Sequence, residues 1–172
     1  MNPRRSPLIT TAVVAAAIGL AACTPAPVPE PTPTPLFASE AEAFKAAEQV
    51  YRDYIAAVNA EESTPASNPQ RFLVGQALEE DISSVRDLES AGKRIVGATV
   101  VSGFDGRSFA SQSMMVTSLA CLDVSATRIM DASGNDVTSK DRALIVAVNV
   151  SMTLVSKEFK IARMDASSES CS

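Results

Sequence analysis

Histidine is absent from this 172-residue chain. Ser-His-Asp and Cys-His nucleophilic sites both use an imidazole as the general base, so enzymes of those two classes are excluded. Zinc sites with histidine ligands are excluded for the same reason. General acid–base chemistry by carboxylates, lysine or tyrosine remains open. We expect no metal site and no cofactor.

Positive charge is also scarce. The chain has 15 lysines and arginines against 20 aspartates and glutamates, which gives a formal net charge of −5. Nucleic-acid-binding domains concentrate basic residues on one face, so we expect no nucleic-acid partner. An acidic chain is not attracted to an anionic bilayer, so charge alone does not predict attachment to a membrane.

Long apolar runs are lacking except at the start of the chain. One such run extends from Leu8 to Leu20, directly after Arg4 and Arg5. A positive segment, an apolar segment and then small residues is the order of a secretory signal. The apolar run is too short to span a bilayer comfortably. The sequence therefore predicts that the chain is exported.

The apolar run ends in Leu20-Ala21-Ala22-Cys23. This string resembles the lipobox of bacterial lipoproteins, in which the cysteine thiol receives a diacylglyceryl group and signal peptidase II cuts before the cysteine. The resemblance implies that residues 1–22 are removed and that Cys23 becomes the lipidated first residue, at the extracytoplasmic face of the cell membrane. An ordinary secretory signal followed by a chance cysteine is the alternative.

Cysteine is sparse, and Cys121 and Cys171 remain once Cys23 carries the lipid. An even pair of cysteines in an exported protein favours a disulfide, because the compartment is oxidising. A reactive thiol is the alternative, but no histidine or metal is present to activate it. The sequence predicts a Cys121–Cys171 disulfide.

Six prolines occur at every second position between Thr24 and Leu36. Proline removes the backbone donors that helices and sheets need, so an extended, polyproline-like spacer of about 40 Å is expected. A docking ligand for a proline-binding module is the weaker alternative. We therefore divide the chain into a signal peptide (1–22), a lipidated cysteine with its spacer (23–37) and a single domain (38–172).

Helices are predicted at the start of that domain. Ser39 with Glu42 forms a capping-box pattern, and apolar residues then recur at spacings of three and four. Asn68-Pro69 predicts the start of a short helix, with Gly75 as a break, and a further helix covers 78–91. The predicted apolar face of the first helix is Ala41, Phe44, Ala47, Tyr51, Ile55 and Val58, and that of the last is Leu78, Ile82, Val85 and Leu88.

Strands are predicted after residue 93, where β-branched residues become frequent. The predicted strands cover 94–104, 109–124, 128–130, 143–154 and 158–164, with turns at Asp105-Gly106 and near Ser156-Lys157. Helices followed by an antiparallel meander indicate an α+β fold, in which the N-terminal helices pack on a curved antiparallel sheet.

This order of elements resembles the cone-shaped cystatin or nuclear transport factor 2-like fold, which includes the SnoaL-like domains. The chain is also similar to small lipoproteins of high-GC Gram-positive bacteria. The matching stretches are 47–54, 95–97, 120–125 and 131–138. The resemblance implies pairing of the strand cysteine with the C-terminal one. Phe159 departs from it, because those relatives often carry tryptophan at the start of the final strand.

Acidic residues near Asp131 suggest a calcium loop at first sight. An EF-hand loop that starts there requires glycine at its sixth position and glutamate at its twelfth. Those positions are Asp136 and Arg142. The pattern fails, and a solvated turn is the better interpretation.

Catalytic members of the resembling fold hold acid–base residues in a pocket between helix and sheet. The candidate pocket-lining residues here are Tyr51, Tyr54, Met114 and Asp123, with Asp53 and Arg94 as further polar candidates. Core packing for the tyrosines and the methionine, and a turn-capping role for Asp123, are the simpler interpretations.

The chain is therefore predicted to be a non-catalytic binding or scaffolding lipoprotein that engages a protein or cell-wall partner, or a small apolar ligand, and is attached to the membrane through the lipid on Cys23. A small SnoaL-like lyase or isomerase is the alternative. A deep apolar cavity with a buried aspartate or tyrosine favours the enzyme, whereas a filled interior favours the interaction module.

Overall fold

The computed structural model describes residues 36–61, 63–64 and 66–171. The predicted signal peptide, the lipidation site at Cys23 and all but the last two residues of the spacer lie outside the described residues. The elements in chain order are α1 (Glu40–Ala60), a 3₁₀ helix (Pro69–Phe72), α2 (Gly75–Ser90), β1 (Arg94–Val96), β2 (Val100–Ala110), β3 (Met115–Asp123), β4 (Arg128–Met130), β5 (Ile145–Val155) and β6 (Glu158–Ala166).

Helix α1 begins where its capping sequence predicts. The Ser39 hydroxyl accepts a hydrogen bond from the Glu42 N–H at 3.2 Å, and the Glu42 carboxylate accepts from the Ala38 N–H at 2.7 Å. The predicted apolar face is wrong at Ala41, which is exposed, and Ala43 is buried instead. The residues that α1 buries are Ala43, Ala47, Tyr51, Tyr54 and Ile55.

The 3₁₀ helix confirms the predicted Asn68-Pro69 start, since the Asn68 side chain accepts from the Arg71 N–H at 3.2 Å. The predicted apolar face of α2 is wrong at Ile82 and Val85, whereas Leu78 is partly buried against the core as predicted. Only Ala77 of α2 is buried, while Ile82 and Val85 are 36% and 39% exposed. Helix α2 packs against β6 at the edge of the sheet rather than across a sheet face, so most of its surface stays in contact with solvent.

The main sheet is antiparallel with strand order β2-β3-β5-β6, and β1 pairs separately with β4. The single predicted strand over 94–104 is therefore wrong, because the chain breaks at Gly97 and enters two different sheets. The predicted turn at Asp105-Gly106 is also wrong. Both residues lie inside β2, and the turn to β3 occupies residues 111–114.

Gly106 is needed for close packing rather than for a turn. Phe44 of α1 lies directly against it, and a Cβ atom at this position would overlap the aromatic ring. A glycine inside a strand commonly marks such a close approach of another element. The register of β2 on β3 also shifts between Gly106 and Ser108, which is the sign of a bulge.

The β5–β6 hairpin confirms the predicted turn at Ser156-Lys157. Both residues have positive φ, 52° and 71°, which is the conformation of a two-residue type I′ turn. Strand β6 then runs to Ala166, two residues further than predicted.

The core lies between α1 and one face of the main sheet, where β3 contributes Val116, Ala120 and Leu122. Side chains alternate along a strand, so Cys121 lies on the opposite face. It pairs there with Cys171, as the sequence predicted, with the two Cα atoms 5.7 Å apart. The predicted α+β class is confirmed. No helix within the described ranges is long and apolar enough to cross a membrane.

Candidate functional site

A cleft of about 470 Å³ lies where α1, the 3₁₀ helix and the β5–β6 hairpin meet. Three parts of the sequence that are far apart form its walls. Each wall belongs to a helix or to the hairpin, which determines its position. The lining residues are Phe37, Ala46, Val50, Asp53, Arg71, Phe72, Lys157, Glu158, Phe159 and Lys160. The cleft combines an apolar floor with a charged rim.

Aromatic rings build the floor of the cleft. Phe37 stacks on Phe159, with ring centroids 5.3 Å apart and planes inclined by 5°. It also makes a T-shaped contact with Phe109, with ring centroids 5.9 Å apart. Phe159 is buried in the core, so its position is fixed by the sheet. Phe72 of the 3₁₀ helix adds a third ring to the cleft.

The charged rim of the cleft carries three positive side chains and two negative ones, Asp53 and Glu158. The Arg71 guanidinium lies 4.5 Å from the centre of the Phe72 ring, a cation–π contact that holds it over the cleft. The Lys160 ammonium pairs with Glu158 at 3.2 Å. Among the ion pairs of the described residues, none involves Arg71 or Lys157. The cleft therefore contains two cations without an ion-pair partner among the described residues, and Asp53 in the same lining has no ion pair either.

A second cleft of about 450 Å³ adjoins the first and shares Asp53 and Arg71 with it. Its other walls come from the end of α1 and from residues 66–68. The Ser67 hydroxyl donates to the Ala57 carbonyl at 2.7 Å and closes this wall. The Asp53 carboxylate accepts from the Gln49 side chain at 2.9 Å, so one of its oxygens already has a donor.

The predicted pocket residues Tyr51 and Tyr54 lie in the packed core, not in the cleft. They are 1% and 7% exposed, and the Tyr51 ring lies 6.1 Å from Tyr54 and 5.8 Å from Phe104. Burial raises the pKa of both phenols well above the usual value, with smaller contributions from neighbouring acidic groups. Both tyrosines therefore remain neutral at physiological pH.

Met114 and Asp123, the other two predicted pocket residues, lie at opposite ends of β3 and are about 30 Å apart along the strand. The four predicted residues do not line one pocket. The Asp123 carboxylate accepts from the Ser125 N–H at 2.8 Å, and hydrogen bonding to Ser125 lowers the pKa of Asp123. This geometry agrees with the turn-capping interpretation.

Two polar candidates from the sequence separate in the structure. Asp53 lines both clefts, whereas Arg94 lies on β1 and lines neither. Arg71 and Lys157 were not predicted as site residues, because no sequence motif links a 3₁₀ helix to a distant hairpin turn. The only available signal was the predicted turn that exposes Lys157.

The residues of the cleft define the interactions that it can make. Its groups offer ion pairing, cation–π contact and apolar packing. Within the described part of the chain, no group of three cysteine, aspartate or glutamate side chains converges to hold a metal ion. The Asp131 carboxylate instead accepts from the Ser133 and Asn135 N–H groups, each at 2.8 Å, which is the solvated turn expected from the sequence.

Comparison with known proteins gives a match among solved structures. No protein-family model matches the chain, and no curated protein matches it either. Among solved structures, it is similar to the intermembrane space region of the chloroplast protein ARC6, with a TM-score of 0.50 and 12% identity over 72% of this chain and 95% of that one. At that identity the similarity shows a shared fold alone, and it agrees with the α+β class.

Proposed function

We propose that the chain is a lipid-anchored, non-catalytic binding module at the extracytoplasmic face of the cell membrane, and that the cleft beside α1 is its binding site. One observation carries the binding role: an aromatic floor lies beneath two cations, Arg71 and Lys157, that have no ion-pair partner among the described residues. Such a site suits a ligand with both apolar and anionic groups.

Anchoring is supported by the sequence. The lipobox-like residues 20–23 follow a charged and then an apolar segment, and the proline-rich residues 24–36 supply a spacer between membrane and domain. One acyl chain gives only marginal membrane binding, whereas the diacylglyceryl group of this class supplies two. The lipid would therefore hold an acidic domain at a surface that does not attract it.

The alternative is a SnoaL-like lyase or isomerase that works inside the fold. Its acid–base candidates are Tyr51 and Tyr54, whose rings pack in the core between α1 and the sheet. A filled interior at these residues supports core packing over a catalytic pocket. Binding at the cleft is the better supported function.

We also propose that the domain has the cone-shaped arrangement of the nuclear transport factor 2-like and cystatin folds. Two features support it. The 21-residue α1 lies against one face of the main sheet, and β2 and β6 both carry register shifts. Bulges bend strands, which is how a sheet curves around a helix.

Replacement of Cys23 by alanine tests the anchor. We expect Cys23→Ala to leave the signal uncut or to release the domain, so the protein should change apparent size or move from the membrane fraction to the soluble fraction. Unchanged size together with unchanged membrane retention would contradict lipidation.

Photo-cross-linking in intact cells tests the binding role. A photoreactive residue at Lys157 should yield an adduct that is lost when Arg71→Glu is added, because the ligand needs the cationic rim. The same photoreactive residue at Arg86, an exposed position outside the cleft, is the matched control. Adducts of equal yield at both positions, or none at Lys157, would exclude the cleft as the binding site.

A further inference from the structure

The outer edge of β6 opens into the cleft. The main sheet ends at β6, and its edge is joined at Ile161, where Leu73 forms a parallel bridge and the Val74 N–H donates to the Ile161 carbonyl at 2.9 Å. Within the described ranges no strand pairs with the edge at residues 158–160, which line the cleft. A short stretch of sheet edge is therefore accessible from the cleft.

The direction of the backbone groups follows from the Ile161 bond. In an antiparallel ladder, alternate residues direct both their N–H and C=O groups away from the paired strand. The Ile161 carbonyl faces outward, since Val74 donates to it. Phe159, two residues earlier, therefore presents its N–H and C=O groups outward, whereas the N–H and C=O groups of Ile161 take part in the parallel bridge to Leu73. The outward groups of Phe159 are those to which an added strand binds.

We propose that the cleft binds an extended acidic peptide segment of a partner protein, which adds as a short strand to the outer edge of β6. This inference rests on the proposed binding function and specifies its ligand class. The available edge, residues 158–160, spans about 10 Å, so the paired stretch covers about three residues.

Charge and shape argue for an acidic peptide with an apolar side chain. Arg71 and Lys157 stand at the rim without ion-pair partners among the described residues. Of the two carboxylates in the lining, Glu158 is paired with Lys160 and Asp53 accepts a hydrogen bond from Gln49, so positive charge is in small excess. Carboxylates of the peptide would meet the two cations, and an apolar side chain would lie on the rings of Phe37 and Phe72. Backbone pairing supplies general affinity, and the side-chain contacts supply selectivity.

A random nine-residue peptide library, panned against the full chain in detergent micelles, tests the inference. We expect enrichment of sequences with several acidic residues and an aromatic one. The best peptide should bind the R71E/K157E variant about tenfold or more weakly, because two charge-assisted contacts become repulsive. The R86E/K93E variant changes the net charge equally at exposed positions outside the cleft and should bind as the parent does. No enrichment, or equal loss in both variants, overturns the proposal.

Backbone pairing is tested with the unaltered protein. The selected peptide is synthesised in two forms, with N-methyl groups on odd-numbered or on even-numbered residues. An added strand directs only every second residue toward β6, so one form should lose about tenfold or more in affinity and the other should bind normally. Equal affinity of the two forms overturns strand addition.

Dodecanoate separates this inference from the proposed function. It carries an apolar chain and a carboxylate but no amide group, so it satisfies the floor and the rim without pairing to β6. Binding of dodecanoate that depends on Arg71 and Lys157, without any selected peptide, would refute the peptide inference and retain the cleft as a binding site. Failure of both probes would refute both.

Discussion

The two edges of the main sheet differ in what covers them. The outer edge of β2 is covered by side chains of α1: Glu40 accepts from the Phe109 N–H at 3.1 Å, and Arg52 donates to the Val101 carbonyl at 2.9 Å. The outer edge of β6 receives a main-chain bond at Ile161 and opens into the cleft beyond it. The edge of β2 is covered by side chains of α1, whereas the edge of β6 is bridged at Ile161, packs against α2, and stays accessible at residues 158–160.

Asn59 completes the cover on the β2 side. Its side chain donates to the Thr99 carbonyl at 2.8 Å and accepts from the Thr99 N–H at 2.9 Å, as a neighbouring strand would. An unpaired edge is a template for unwanted strand pairing, so covering β2 restricts strand addition to β6. A single helix thus both forms the core and protects an edge.

The largest effect is expected where α1 approaches β2 most closely. Gly106→Val places a branched side chain against Phe44 and should destabilise the domain by about 3 kcal/mol or more, because the helix must move off the edge strand. Thermal unfolding measures the loss. In a Phe44→Ala background the same substitution should cost much less, and an equal cost there would contradict the contact.

A smaller but substantial effect is expected from the disulfide, which ties the residues after β6 back to β3. Replacing Cys121 and Cys171 together by alanine should lower the free energy of unfolding by about 2–4 kcal/mol. Denaturant unfolding measures it, with the reduced parent protein as the comparison. If the double variant and the oxidised parent unfold at the same denaturant concentration, the bond does not stabilise the fold.

Asn59→Ala should cost about 1–2 kcal/mol, since two hydrogen bonds to Thr99 are lost and the β2 edge is partly exposed. Light scattering should also show a greater tendency to associate. Gln49→Ala, which removes an exposed side-chain bond to Asp53, is the matched control on the same helix. Equal effects from the two variants would mean that Asn59 does not protect the edge.

The smallest effect concerns Glu61, which follows α1 at the end nearest Asn59. Burial, and secondly the charge of Asp81, raises the pKa of this carboxyl above its ordinary 4.5. A raised native pKa means that the folded state holds its proton more tightly, so stability is lost as the pH rises from about 4.5 through the native pKa.

Glu61→Gln should therefore raise the melting temperature at pH 7 by no more than about 2 °C and have no effect near pH 4. Thermal melts at the two pH values test this. Glu89→Gln, at an exposed position of α2, is the matched substitution measured beside it. A larger gain at pH 4 than at pH 7 would reverse the sign and contradict the shift.

Local signals in the sequence predicted local structure well. The caps of α1 and of the 3₁₀ helix, and the Ser156-Lys157 turn, depend on residues a few positions apart, so they are visible in the sequence. Asp105-Gly106 has the sequence of a turn. The structure shows instead that a glycine is required at position 106 because Phe44, 62 positions away, packs against it. No local pattern contains such a contact.

The candidate site was predicted poorly for the same reason. Tyr51 and Tyr54 carry chemistry that suits a pocket, but their spacing on α1 directs them into the core. The cleft is formed by Asp53, Arg71 and Lys157, which meet only because the hairpin and the 3₁₀ helix pack beside α1. Which charged residues converge is decided by tertiary packing, and the sequence shows them as isolated surface charges.

The Cys121–Cys171 bond also determines how the domain carries a mechanical load. A force applied at the C-terminus passes through the bond into β3 and bypasses β5 and β6, which lie within the 50-residue separation of the two cysteines. In the oxidised protein, the residues between the two cysteines would not be stretched. The fully extended oxidised chain should therefore be about 175 Å shorter than the fully extended reduced chain. The hairpin that walls the cleft would then stay unloaded while the termini are pulled.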